Sequence, residues 1–228
     1  MFVPLHDDTT LKVIRFQWVT LAIMVGNCLI FLWDQFFATD IQHNAMLLQF
    51  GLIPSDFLDT LRSTGSHGFA AELATLATSL FLHGSWLHII GNLAFLWVFA
   101  DNIEDAFGHL GFCFFYLICG AAGGLLHVAV MPGSSLPLIG ASSAVAGIMG
   151  SYIVLFPKAR VWVMVFVPVP LSASWALLGW LAFQLYSILT APPGSDVAFW
   201  SHIGGFATGF ALTLLLRRQI ALNTRGRI

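Results

Sequence analysis

The sequence predicts an all-α membrane protein, a bundle of six transmembrane helices with both termini on the cytoplasmic face. Three observations carry that prediction. Of the 228 residues, 58% are hydrophobic and only 9% charged, and the mean hydropathy is +0.85. The apolar residues gather into six windows, and the few basic residues fall on one side of them. A lipid bilayer is therefore the chain's first partner. A formal net charge of −2, with nine Lys and Arg in no long run, leaves no electrostatic footprint for nucleic acid. Cys28, Cys113 and Cys119 lie in apolar stretches without CxxC spacing and read as packing residues.

The first window, about 16 to 37, follows Lys12 and Arg15 but is too long for a signal-peptide core and shows no small-residue cleavage site. It reads as an uncleaved span. A long first loop, about 38 to 83, mixes apolar patches such as NAMLLQFGLIP with polar residues, so parts of it are expected in the membrane interface. The remaining windows cover about 84 to 100, 108 to 131, 142 to 156, 172 to 190 and 197 to 216. In lipid each can satisfy its backbone only as a helix. Lys158 and Arg160 follow the fourth span, and Arg217, Arg218, Arg225 and Arg227 follow the sixth. Six crossings put these and the two N-terminal residues on the inner face, with Arg62 alone outside. No repeat or linker divides the chain, so residues 1–228 read as one domain.

The fourth span has 15 residues before Pro157, roughly 22 Å against a hydrocarbon core of ~30 Å. Its N-terminus, at Ser142, is therefore expected below the outer surface, and the irregular MPGSSLPLIG before it must descend into protein. Unpaired N–H groups at such a buried helix start are the raw material of an oxyanion hole. Ser142 stands 14 residues before Phe156, and His202 stands 14 before Leu216, so the two lie at similar depth. Ser142, Ala146 and Gly150 on one helix, and Ser201, Gly205 and Gly209 on the other, recur at every fourth position. Such small faces let helix backbones approach, although taken alone they mark packing rather than chemistry.

The start of the second span holds His83, His88 and Asn92. His88 and Asn92 are four apart and share a helix face, so they can donate to one point, whereas His83 belongs to the loop approaching the helix. Buried ionisable groups at lipid depth read as functional. No HExxH motif is present, and neither a metal nor another cofactor is expected. Asp196 and Glu104 are badly placed for a triad, so a Ser and His pair without a carboxylate is the better reading.

These residues resemble the rhomboid intramembrane serine proteases, in the six-span bacterial form. The family's His, five on to His, four on to Asn is matched by His83, His88 and Asn92, its GxS by Gly140 and Ser142, and its HxxGxxxG by His202, Gly205 and Gly209. Glu104 looks like the family's acidic residue after the second span. Ser143 stands where a glycine often follows the nucleophile, Ala146 stands where some members carry an aromatic, and the first loop lacks the family's Trp-Arg pair.

The resemblance implies a serine endopeptidase with Ser142 as nucleophile and His202 as base, and an oxyanion held by the Ser142 N–H, His88 and Asn92. It implies transmembrane protein substrates with helix-destabilising residues and a small residue at the cut. It also implies a bacterial inner membrane, with the site open to the outer face. A lateral opening beside the fifth span is expected from VPVPLSASWALLGW, which lacks helix regularity at its start. The rivals are a rhomboid-like pseudoprotease that binds membrane proteins without cutting them, and a small transporter. The latter predicts repeated halves, which the sequence does not show.

Overall fold

A computed structural model of the chain describes residues 3–63, 68–190 and 197–225; Asp196 and Arg227, named above, lie outside the described residues. In chain order it forms strand β1 (Val3–Asp7), helix α1 (Trp18–Phe37), three short helices α2 (Asp40–Phe50), α3 (Pro54–Arg62) and α4 (Phe69–Thr78), and a single 3-10 turn, Ser79–Phe81. There follow α5 (Trp86–Phe107), α6 (His109–Val130), α7 (Ser142–Leu155), strands β2 (Arg160–Met164) and β3 (Pro168–Ser172), α8 (Ala173–Thr190) and α9 (Phe199–Arg225). Five of the helices, α1, α5, α6, α8 and α9, are long and apolar enough to cross a bilayer. α7 is the short one, and it lies in their midst: every residue from Ser143 to Tyr152 is buried.

The centre can be so thin-walled because its residues are small. Within lipid, helices gain little hydrophobic energy from one another and associate instead by close packing. α7 packs most extensively on α9. At that seam a Cβ added to Gly209 would run into the carbonyl of Gly147, and one added to Gly150 would run into the carbonyl of Phe206. On the third side, a Cβ on Gly123 of α6 would meet the Ser201 carbonyl. Large side chains fill the end of the bundle away from Ser142 instead, where Phe99 and Tyr152 pack edge to face at 4.9 Å between centroids and are both fully buried. Outward faces carry exposed apolar residues such as Leu29, Trp97, Phe114, Trp175 and Leu189, as a lipid-facing surface requires.

α5 continues to Phe107, well past the apolar window that ends near 100, because its last turns carry partnered carboxylates. Glu104 is fully buried and caps α1, whose own N-cap Gln17 makes no side-chain capping bond. One Glu104 oxygen accepts from the Val19 N–H at 3.0 Å, the other from the Thr20 N–H at 2.8 Å and the Thr20 hydroxyl at 2.7 Å. Asp105 similarly accepts the N–H groups of Lys12, Val13 and Ile14 at 2.7 to 2.9 Å. A carboxylate at a helix start satisfies orphan donors and meets the positive end of the dipole.

The hydropathy windows do not disclose the three-stranded antiparallel sheet, ordered β1-β2-β3, beneath this end of the bundle. β1 is tied down further by Asp7, which accepts from the Tyr152 hydroxyl, from Asn102 Nδ2 at 2.9 Å and from the Thr9 hydroxyl at 2.6 Å. β3 accounts for the irregularity that precedes the fifth span: Pro168–Ser172 form a paired strand, with Val161 opposite Leu171 and Val163 opposite Val169. Their irregularity is therefore no sign of a lateral opening.

At the other end, the loop before α7 satisfies its backbone by pairing with the first loop. Leu52 and Leu138 exchange both hydrogen bonds, at 3.1 and 2.8 Å, the Ser55 N–H donates to the Ser134 carbonyl at 3.0 Å, and the Gly140 N–H donates to the Ser79 carbonyl at 2.9 Å. Buried backbone without such partners would be costly.

Candidate active site

Ser142 is the first residue of α7, and Ala141 before it is fully buried and has no side-chain oxygen with which to cap the helix. The first N–H groups of α7 are thus left to whatever lies beside the serine. His202 lies one turn into α9, and its Nε2 is 2.9 Å from Ser142 Oγ. Both side chains are half-buried, whereas Ala141, Ser143 and Ser201 around them are buried. The contact is possible because α9 presents Gly205 one turn later, where a Cβ would collide with the Ser143 carbonyl.

Of the second-span residues, His88 lies beside the segment that leads into Ser142. Ser85 accepts the His88 N–H at 3.2 Å and starts α5. The His88 imidazole then lies directly over Gly140, where an added Cβ would meet its ring, and Gly140 has φ +111°, a conformation that suits glycine. Gly140 therefore has two separate reasons to be glycine, two residues before the serine. His83 belongs to the loop before α5 yet folds back: its Nε2 lies 3.0 Å from buried Asn92 Nδ2, and its ring meets His88 edge to face at 5.0 Å. Burial first, and the neighbouring His88 second, push the His83 pKa down to about 3. The ring is neutral, and its Nε2 accepts from the Asn92 amide.

One further polar residue, absent from the motifs, faces His202. Gln184 of α8 is buried, and its Oε1 lies 2.8 Å from His202 Nδ1. The signal was available, since Gln184 is an amide within the apolar run WLAFQLYSIL, and a polar group in a span asks for a partner. Glu104, by contrast, sits at the far end of α5 and is occupied with α1 and with His109 Nδ1 at 2.5 Å. It builds the fold rather than the site.

A bundle of apolar helices with a serine and a histidine meeting at an internal helix start defines a multi-pass membrane protein with a polar centre. Residues 70–219 match the family model described as the Rhomboid domain, and the chain belongs to the rhomboid family, a family of intramembrane proteases. It is 29% identical over 206 residues to RHOMBOID-like protein 12, mitochondrial, of Arabidopsis thaliana, covering 83% of this chain and 55% of that protein. It is 30% identical to Rhomboid protein 1, mitochondrial, of Saccharomyces cerevisiae over 70% of this chain and 46% of that one. To Rhomboid-like protease 3 of Toxoplasma gondii it is 27% identical, over 65% of this chain and 54% of the other. The chain thus spans about half the length of these relatives. The two names that state a compartment are mitochondrial, so the comparisons give no support to a bacterial inner membrane, while the multi-pass membrane placement stands.

Proposed function

We propose that this chain is an intramembrane serine endopeptidase that cleaves transmembrane segments of membrane proteins with Ser142 and His202. The observation that carries the reading is the 2.9 Å approach of His202 Nε2 to Ser142 Oγ at the uncapped start of α7. Nε2 takes the hydroxyl proton as Oγ bonds to the substrate carbonyl carbon, giving a tetrahedral oxyanion. The Ser142 N–H, His88 and Asn92 hold that negative charge. Collapse breaks the peptide C–N bond, with the proton passing to the leaving amine and the acyl group remaining on Oγ. A water then repeats the sequence and frees the serine. Because the pair is half-buried rather than sealed, water can take part in the second step.

In this reading α7 is a sixth membrane segment, the basic residues and both termini face inward, and the site opens on the opposite face. Substrates would be single-span proteins with helix-destabilising residues, since a helix must unwind before its backbone can enter a protease. A pseudoprotease remains the rival, and the presence of both members of the pair counts against it.

Incubation of the purified protein with a labelled single-span substrate tests the reading. Cleavage that vanishes in Ser142→Ala, together with fluorophosphonate labelling of Ser142, is expected. Binding without cleavage or labelling would replace the protease by the pseudoprotease.

A further inference from the structure

Resting on the reading of Ser142 and His202 as the reacting pair, we propose that Gln184 is a positioning residue that fixes the tautomer and orientation of His202. A general base at Nε2 must present a lone pair there, so its proton must reside on Nδ1. The group facing Nδ1 is the amide oxygen of Gln184, at 2.8 Å. A carbonyl oxygen only accepts, so the pairing holds the proton on Nδ1 and leaves Nε2 free to face Ser142.

Among the described residues, no other group is hydrogen-bonded to Nδ1. Trp180, one turn earlier on α8, lies 5.9 Å from the His202 ring at 40°, and Phe199 on α9 lies 6.4 Å away at 90°. These rings restrict where the imidazole can swing but offer no acceptor to Nδ1. Gln184 is also nine-tenths buried, at 4% exposed, in a span where an amide has few alternatives to this hydrogen bond. When Nε2 takes the serine proton, the imidazolium retains its Nδ1–H bond to Oε1. The amide dipole thus serves the positive ring without a second charge having to be buried.

The test compares Gln184→Met, near in shape but without a usable acceptor, with Gln184→Glu, which keeps an oxygen facing Nδ1. Cleavage of a single-span substrate gives kcat and KM, and 15N NMR of His202 reports the tautomer independently of turnover. Gln184→Met should lower kcat about tenfold to a hundredfold with KM little changed, the mark of an interaction made in the transition state. Gln184→Glu should recover most of that loss. The wild-type spectrum should show the proton on Nδ1, and the Met variant should lose that preference. Wild-type kcat in Gln184→Met, or a wild-type ring protonated on Nε2, overturns the proposal, and the second result decides the matter even if the Met variant does not fold. Failure of the protease reading looks different: the wild type then neither cleaves nor takes up a fluorophosphonate at Ser142.

Discussion

The α-carbon of Gly205 rests against the backbone carbonyl of Ser143, with no room for a methyl group between them. This contact sets the separation of α7 and α9 beside Ser142 and His202. Gly205→Ala should therefore force the helices apart or displace one of them, costing about 1 to 3 kcal/mol as overpacking does. Because the displacement falls next to a 2.9 Å contact, cleavage should fall far more than stability. Thermal melting in detergent, run beside a cleavage assay, would show the two effects separately.

Gly140→Ala imposes two penalties at one position, a strained φ of +111° and a methyl group directed at the His88 ring. Backbone strain alone costs on the order of 1 to 3 kcal/mol. The His88 ring should move as well, so kcat should drop even in preparations that remain folded. Fluorophosphonate labelling rate against far-UV signal checks this.

Asn92→Ala removes a donor from the proposed oxyanion site and leaves His83 Nε2 without its 3.0 Å partner. Loss of one such donor typically lowers kcat about 10²- to 10³-fold. Slow cleavage should survive in Asn92→Ala and disappear in Ser142→Ala, a difference that single-turnover assays resolve.

The depressed pKa of His83, about 3 against an ordinary 6.5, makes stability depend on acid. Between those values the folded chain binds fewer protons than the unfolded one, so this contribution is complete above pH 6.5 and is lost as the pH falls toward 3. The loss should reach on the order of a few kcal/mol. His83→Gln, which can still accept from Asn92, should flatten the acid side of a stability against pH curve measured in detergent.

Glu104→Ala leaves the N–H groups of Val19 and Thr20 at the buried start of α1 without their acceptor. Each such orphan costs about 1 to 3 kcal/mol. Tm should fall substantially, while kcat per folded molecule should hold, since Glu104 lies at the opposite end of α5 from His88. A catalytic part for Glu104 would reverse that pattern.

Much of the architecture could be read from the chain because lipid permits so few solutions. A window such as 172 to 190 can only be a helix, and the short distance from Ser142 to Pro157 already marks α7 as a short helix, which the fold buries among the longer ones. Equal spacing of Ser142 from Phe156 and of His202 from Leu216, with glycines at every fourth position, is a sequence statement of depth and closeness. The sheet was illegible for the opposite reason. β1 precedes β2 by some 150 residues, and neither VPLHD nor RVWVM alternates strongly enough to announce a partner. Spacing places His83 in a loop, but a loop's direction is set by tertiary contacts, and spacing along α5 does not show that its ring turns back onto Asn92. Gln184 is hard to read from sequence because a lone amide in an apolar run carries no spacing to a partner.

The exchange of hydrogen bonds between Leu52 and Leu138 joins the first loop to the segment that ends in Gly140 and Ser142. That loop is consequently not a separate cover resting on the bundle. A displacement of it would be carried from Leu138 through Ile139, Gly140 and Ala141 to Ser142, so a molecule pressing on the rim would shift the same hydroxyl that His202 meets.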